Sequence, residues 1–91
     1  MIQTYHGIVR GRVQGVFFRS WTREQAQDLG LTGWVQNRAD GSVEVVAQGS
    51  RDTLETFEQK LHQGPAAARV DSVEGSISQG DESFDGFEIR R

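Results

Sequence analysis

Apolar and polar positions alternate along the first strand-like stretch of the chain. Tyr5, Gly7, Val9, Gly11 and Val13 fall on one side, and His6, Ile8, Arg10 and Arg12 on the other. A period of two marks a strand with one more polar face. The period then changes. Phe18, Trp21, Thr22, Ala26 and Leu29 recur at helical spacing and would share one face of a helix. Gly30 supplies a left-handed stop, and Leu31 can fold back onto the last turn. The start of this helix has two candidates. Thr22 with Gln25 has the form of a capping box, whereas the apolar stripe begins at Phe18. The earlier start is preferred, because it aims the positive end of the helix dipole at the preceding loop.

Leu31 to Arg38 reads as a second strand, and Asp40-Gly41 is a hairpin signal. Ser42 to Gln48 is a third strand with Val43, Val45 and Ala47 on one face. Ser50 can cap a second helix whose stripe is Leu54, Phe57 and Leu61, and Gly64-Pro65 ends it. Arg69 to Ser78 forms a fourth strand, out of phase near Asp71 and Ser72 in the manner of a bulge. Gly80 to Asp85 is polar and loop-like, and Phe87 and Ile89 belong to a short last strand. The order is strand, helix, strand, strand, helix, strand, with the short strand at the end. That order predicts an α+β, ferredoxin-like split βαβ fold. Each helix carries a single apolar stripe, so both should cover one face of an antiparallel sheet.

A chain of 91 residues makes one small domain, residues 1–91. There are no cysteines, so neither disulfides nor thiolate metal sites can contribute. The first residues, Met1 to Tyr5, show no charged region followed by an apolar run, and no apolar run approaches the ~20 residues that span a bilayer. A soluble cytoplasmic protein without a membrane partner is the expectation. The net charge of −3 argues against a nucleic-acid partner, which normally meets a basic surface. An acidic protein that binds an anion must concentrate positive potential locally. Arg10, Arg12, Arg19 and Arg38 sit in or beside the stretches that carry the chemistry below. No paired histidines and no dense carboxylate cluster lie near those stretches, so no metal and no cofactor are expected.

The segment Gly11-Arg12-Val13-Gln14-Gly15-Val16-Phe17-Phe18-Arg19 joins the first strand to the first helix. Glycines bracket a turn and an arginine stands at its far end. Such a turn can aim successive N–H groups into one concavity that suits an anion. The arginine adds a planar fork of donors that matches phosphate. It is neither a Walker-type loop nor a dinucleotide fingerprint, since the residues and spacing of both are missing. On spacing alone, an ordinary turn beside a solvent-facing arginine remains open next to a phosphate cradle.

These residues resemble the first signature of the acylphosphatase family. Gly33-Trp34-Val35-Gln36-Asn37-Arg38-Ala39-Asp40-Gly41-Ser42-Val43 resembles the second, in the family's order and at about its separation. Chain length and the final Phe87-Glu88-Ile89-Arg90 are similar as well, while the stretch from Arg51 to Asp85 is less so. The resemblance implies an enzyme that hydrolyses the carboxyl–phosphate bond of small acyl phosphates by in-line attack of a water, without a metal. It puts the catalytic arginine on Arg19 and the catalytic asparagine on Asn37. Gln14, Gly15, Val16, Phe17 and Phe18 would bind the phosphoryl group through their N–H groups. Inorganic phosphate or sulfate would inhibit, and a monomer would suffice. A non-catalytic module that binds phosphate or acyl phosphate with the same cradle is the alternative.

Several residues have competing assignments. Asn37 precedes a turn, where asparagine often bonds local backbone. Phe18 has a claim on the core as well as on the pocket. Trp21 and Trp34 fit packing better than base stacking, and His6 and His62 lie outside both motifs and fit surface roles. Asp40 is needed by its turn and does not make a convincing carboxylate pair with Glu44.

Overall fold

A computed structural model describes residues 2–80 and 83–91. The expected loop from Gly80 to Asp85 therefore lies partly outside the described residues, at 81 and 82. The chain runs β1 (Gln3–Arg12), α1 (Phe18–Asp28), β2 (Thr32–Asn37), β3 (Val43–Gly49), α2 (Arg51–Gln63), β4 (Arg69–Ser78) and β5 (Phe87–Arg90). The strands form one sheet in the order β4-β1-β3-β2-β5. β1 pairs antiparallel with both β3 and β4, and β2 pairs antiparallel with β3. The short β5 joins the edge in parallel with β2, setting Val35 opposite Ile89. The sheet is thus mixed, with an antiparallel ferredoxin-like body and one parallel edge.

Both helices bury their stripes on the same side. Phe18, Thr22 and Ala26 of α1 and Leu54, Phe57 and Leu61 of α2 are covered. Apart from Thr22, they form one cluster with Tyr5, Val9, Val35, Val43, Val45, Ala47 and Phe87 of the sheet. The period-two pattern of β1 resolves as expected: Tyr5 and Val9 enter the core, whereas His6 and Arg10 are exposed. His6 pairs there with Glu44 at 2.6 Å.

The helix ends follow local rules. Gly30 is left-handed at φ 71, the Gly30 N–H donates to the Gln27 carbonyl at 3.0 Å, and the Leu31 N–H donates to the Ala26 carbonyl at 2.9 Å. This is the paired bonding that closes a helix on glycine, and it folds Leu31 into the core. At the other end, α1 begins at Phe18, as its stripe predicts. Thr22 cannot be a cap because its side chain is fully buried in the middle of the helix. Ser50 does cap α2, its Oγ accepting from the Thr53 N–H.

The bulge expected near Asp71 is present. Arg10 pairs with Ser72 and Gly11 with Val70, which leaves Asp71 as the extra residue on β4. Gly11 takes φ 133, and a Cβ there would run into the Arg69 carbonyl. β1 therefore ends beside a bulge, which adds local twist, just before the chain enters the loop from Val13 to Phe17.

Candidate active site

Val13 anchors the start of that loop in the core. Gly15 then takes φ 74, and Phe17 takes φ 61 and ψ 25. Left-handed residues alternating with right-handed ones can curl a chain so that its N–H groups converge on an anion. Among the described residues Phe17 is the one non-glycine residue with a positive φ, which costs about 1–2 kcal/mol in a side-chain-bearing residue. Its ring gains little in return, since it is 83% exposed. Strain without burial points to function at this position.

The loop runs straight into α1. The first bond of the helix is the Trp21 N–H to the Phe17 carbonyl at 3.0 Å. Among the described residues, no backbone carbonyl takes an N–H between Gln14 and Ser20. The free donors of the loop are therefore continuous with the free donors of a helix N-terminus, where the dipole favours an anion.

An open cavity of about 270 Å³ lies over these groups. Gly15, Phe17, Phe18, Arg19 and Ser20 line it from the loop and the first turn, and Asn37 lines it from the end of β2. Arg19 is half-buried and makes no ion pair or hydrogen bond among the described residues. The other expected arginines are differently employed. Arg10 pairs with Glu74 at 3.0 Å, and Arg38 approaches Asp40 at 4.0 Å. Arg12 is exposed and does not line the cavity.

Asn37 had a competing role in its turn, and other residues fill that role. Asp40 Oδ1 accepts from the Ser42 N–H at 2.9 Å and from its hydroxyl. These bonds hold the Asp40 carboxyl below the usual carboxylate range. The Arg38 N–H donates to the Ser42 carbonyl at 2.9 Å, and the Gly41 N–H donates to the Arg38 carbonyl at 3.2 Å. Asn37 takes no part, and its Oδ1 is covered without a partner among the described residues. An unpaired buried amide oxygen costs about 1–3 kcal/mol, a cost that no bond in the turn offsets.

The remaining expected site residues divide. Phe18 is 1% exposed and serves mainly as core, tilted against Trp21 at 5.4 Å between ring centroids. Val16 also sends its side chain into the core, so it can meet a ligand only through its backbone. Gln14 turns its side chain away to the β2–β3 loop. Trp34 lies under the Arg90 guanidinium at 4.5 Å, and His62 is exposed in the last turn of α2. Ser20, Ile89 and Arg91 join the cavity wall without having been marked by the sequence reading. Ser20 had a signal, as the neighbour of Arg19 in a helix first turn. Ile89 and Arg91 had none, because their place depends on the parallel pairing of β5. Among the described residues, no group of three or more His, Cys, Asp or Glu could hold a metal ion.

The sequence profile of the acylphosphatase family matches residues 5–89. The acylphosphatase of Salinibacter ruber is 47% identical over 83 residues, covering 91% of this chain and 87% of its own. That of Rhizorhabdus wittichii is 53% identical over 77 residues, covering 79% and 78%. The crystal structure of acylphosphatase from Bacillus subtilis matches with a TM-score of 0.94 at 37% identity and covers 100% of each chain. No described helix is long and apolar enough to cross a membrane.

Proposed function

The chain belongs to the acylphosphatase family and hydrolyses the carboxyl–phosphate bond of acyl phosphates; we propose that Arg19 holds the phosphoryl group and Asn37 the attacking water. One observation carries this reading. Arg19 and Asn37 lie on different elements, line one cavity, and are both without a partner among the described residues.

The chemistry asks for little beyond positioning. Carboxylate is a good leaving group, so the protein need only hold the phosphoryl group, spread its charge and aim a water in line. The N–H groups from Gln14 to Phe18 receive phosphoryl oxygens, and the Arg19 guanidinium presents its fork to them. The Asn37 amide orients the water from the β2 side. A bond forms from the water oxygen to phosphorus as the phosphorus–acyl oxygen bond breaks. The electron pair leaves with the carboxylate, and a phosphoryl oxygen takes the water's proton. No protein base is needed, which agrees with a cavity whose described lining holds neither a carboxylate side chain nor a histidine. The product resembles the bound group, so inorganic phosphate and sulfate compete for the cradle. One chain supplies both key residues, so a monomer is sufficient.

The test is a pair of variants. Arg19→Lys keeps the charge and loses the fork, so phosphate inhibition should weaken and turnover should fall together. Asn37→Ala should lower kcat by roughly 10²–10³, the scale of one positioned polar group, and leave phosphate inhibition nearly unchanged. Circular dichroism should show both variants folded. Full turnover in Asn37→Ala would remove the water-holding role.

A further inference from the structure

We propose that the Gln14 side chain is a positioning residue, setting the spacing between the phosphate cradle and Asn37. The inference rests on the assignment of Arg19 and Asn37 above. Gln14 opens the cradle loop, one residue after the buried Val13. Its Nε2 donates to the Arg38 carbonyl at 2.8 Å and to the Ser42 carbonyl at 2.9 Å. Both amide hydrogens are thereby committed to the far side of the site. The Arg38 carbonyl belongs to the residue directly after Asn37. Two short bonds thus tie the first residue of the cradle to the end of the strand that holds the water.

Turn stability does not account for these bonds. The Ser42 carbonyl already accepts from the Arg38 N–H, and the Arg38 carbonyl already accepts from the Gly41 N–H. Each carbonyl has a bond from within the loop, and Gln14 fills a second lone pair. What Gln14 adds is a link between segments 24 and 28 residues apart in sequence. In-line displacement depends on such a link, because a displacement of ~1 Å between reacting groups can cost about 10²-fold in rate. The side chain cannot also serve the phosphoryl group, since its donors are used.

The experiment measures kcat and phosphate inhibition with acetyl phosphate for Gln14→Ala, Asn37→Ala, the double variant and Gln14→Glu. Gln14→Ala should lower kcat about 10- to 100-fold, with phosphate inhibition changed by less than about threefold, a split that general destabilisation does not produce. In the Asn37→Ala background the same change should cost little more, because the partner it positions is gone. Gln14→Glu adds a pH readout that holds even if Gln14→Ala fails to fold. An ionised carboxylate facing two carbonyls can donate to neither, whereas the protonated acid donates once. Its kcat relative to wild type should therefore rise as pH falls toward the ordinary glutamate range near ~4.3. If Asn37→Ala loses turnover while Gln14→Ala keeps it, the positioning role is wrong and the site assignment stands. Fully additive losses, or a flat Gln14→Glu ratio, overturn it too. Full turnover in Asn37→Ala withdraws the site assignment itself, and this inference with it.

Discussion

Alkaline pH should destabilise this protein through a single side chain. Tyr5 is the chain's one tyrosine, it is 1% exposed, and its hydroxyl donates to Glu58 Oε2 at 2.7 Å. Burial raises its pKa above the ordinary value, and the bond to Glu58 and that carboxylate's charge push the same way. Ionising it in place would set two negative groups against each other inside the sheet–helix interface. The folded chain therefore keeps the phenolic proton at a pH where the unfolded chain has lost it. The stabilisation is fully present below the unfolded value of about 10 and is lost as pH rises above it toward the raised folded value. With one proton of difference the slope is about 1.4 kcal/mol per pH unit. The unfolded chain is already half ionised at pH 10, so raising the pH from 10 to 11.5 should remove about 1.6 kcal/mol, or roughly 6–13 °C in Tm for a domain of this size. The assay is a series of thermal melts by circular dichroism from pH 8 to 11.5, with tyrosinate absorbance recorded in parallel. In wild type the absorbance should appear only as the fold is lost. Tyr5→Phe should start less stable by about 1 kcal/mol through the lost hydrogen bond, and its own alkaline decline should be shallower. The stability gap between the two proteins should close and then reverse over the interval. Tyrosinate forming near pH 10 with the ellipticity intact, or equal slopes in the two proteins, would refute the reasoning.

Three further outcomes are expected. Adjacent phenylalanines should behave oppositely: Phe18→Ala should cost about 3–5 kcal/mol as a core truncation. Phe17→Gly should stay within about 1 kcal/mol of wild type, since relief of left-handed strain offsets the entropy of a new glycine; a loss above about 2 kcal/mol in chemical denaturation would contradict this. Phosphate at a hundred times its inhibition constant should stabilise the fold by about 2.7 kcal/mol by mass action, whereas chloride at matched ionic strength should give little, and equal shifts would argue against a cradle. Hydrolysis should continue in excess chelator, because the described residues form no cluster of three or more His, Cys, Asp or Glu that could hold a metal ion; activity lost in chelator and restored by magnesium or zinc would overturn that expectation.

Patterns that depend on neighbours in sequence were legible before the fold was known. The alternation of β1, the stripes of α1 and α2, the glycine stop at Gly30 and the bulge near Asp71 all reflect local geometry. The capping box at Thr22 shows the limit of such signals. A hydroxyl three residues from a glutamine caps only if the helix starts there, and the burial of Phe18 pulls the start earlier. Asn37 and Asp40 show another limit. Both can bond a turn, and that Asp40 does so while Asn37 does not depends on the Arg38–Ser42 closure and on Gln14 reaching across. Placing Ile89 in the cavity wall required knowing that β5 runs parallel to β2 at the sheet edge. Its four residues carry no mark of that partner. The conformation of Phe17 was equally hidden, because a strained φ has no signature in a side chain that suits other structures as well.

The central claim is that water attacks phosphorus while the cradle holds the phosphoryl group. Single-turnover hydrolysis of acetyl phosphate in water enriched in oxygen-18 tests this directly. Attack at phosphorus puts the label in inorganic phosphate and leaves the released acetate unlabelled. Label in the acetate would mean attack at the carbonyl carbon, and would contradict the roles assigned to Arg19 and Asn37.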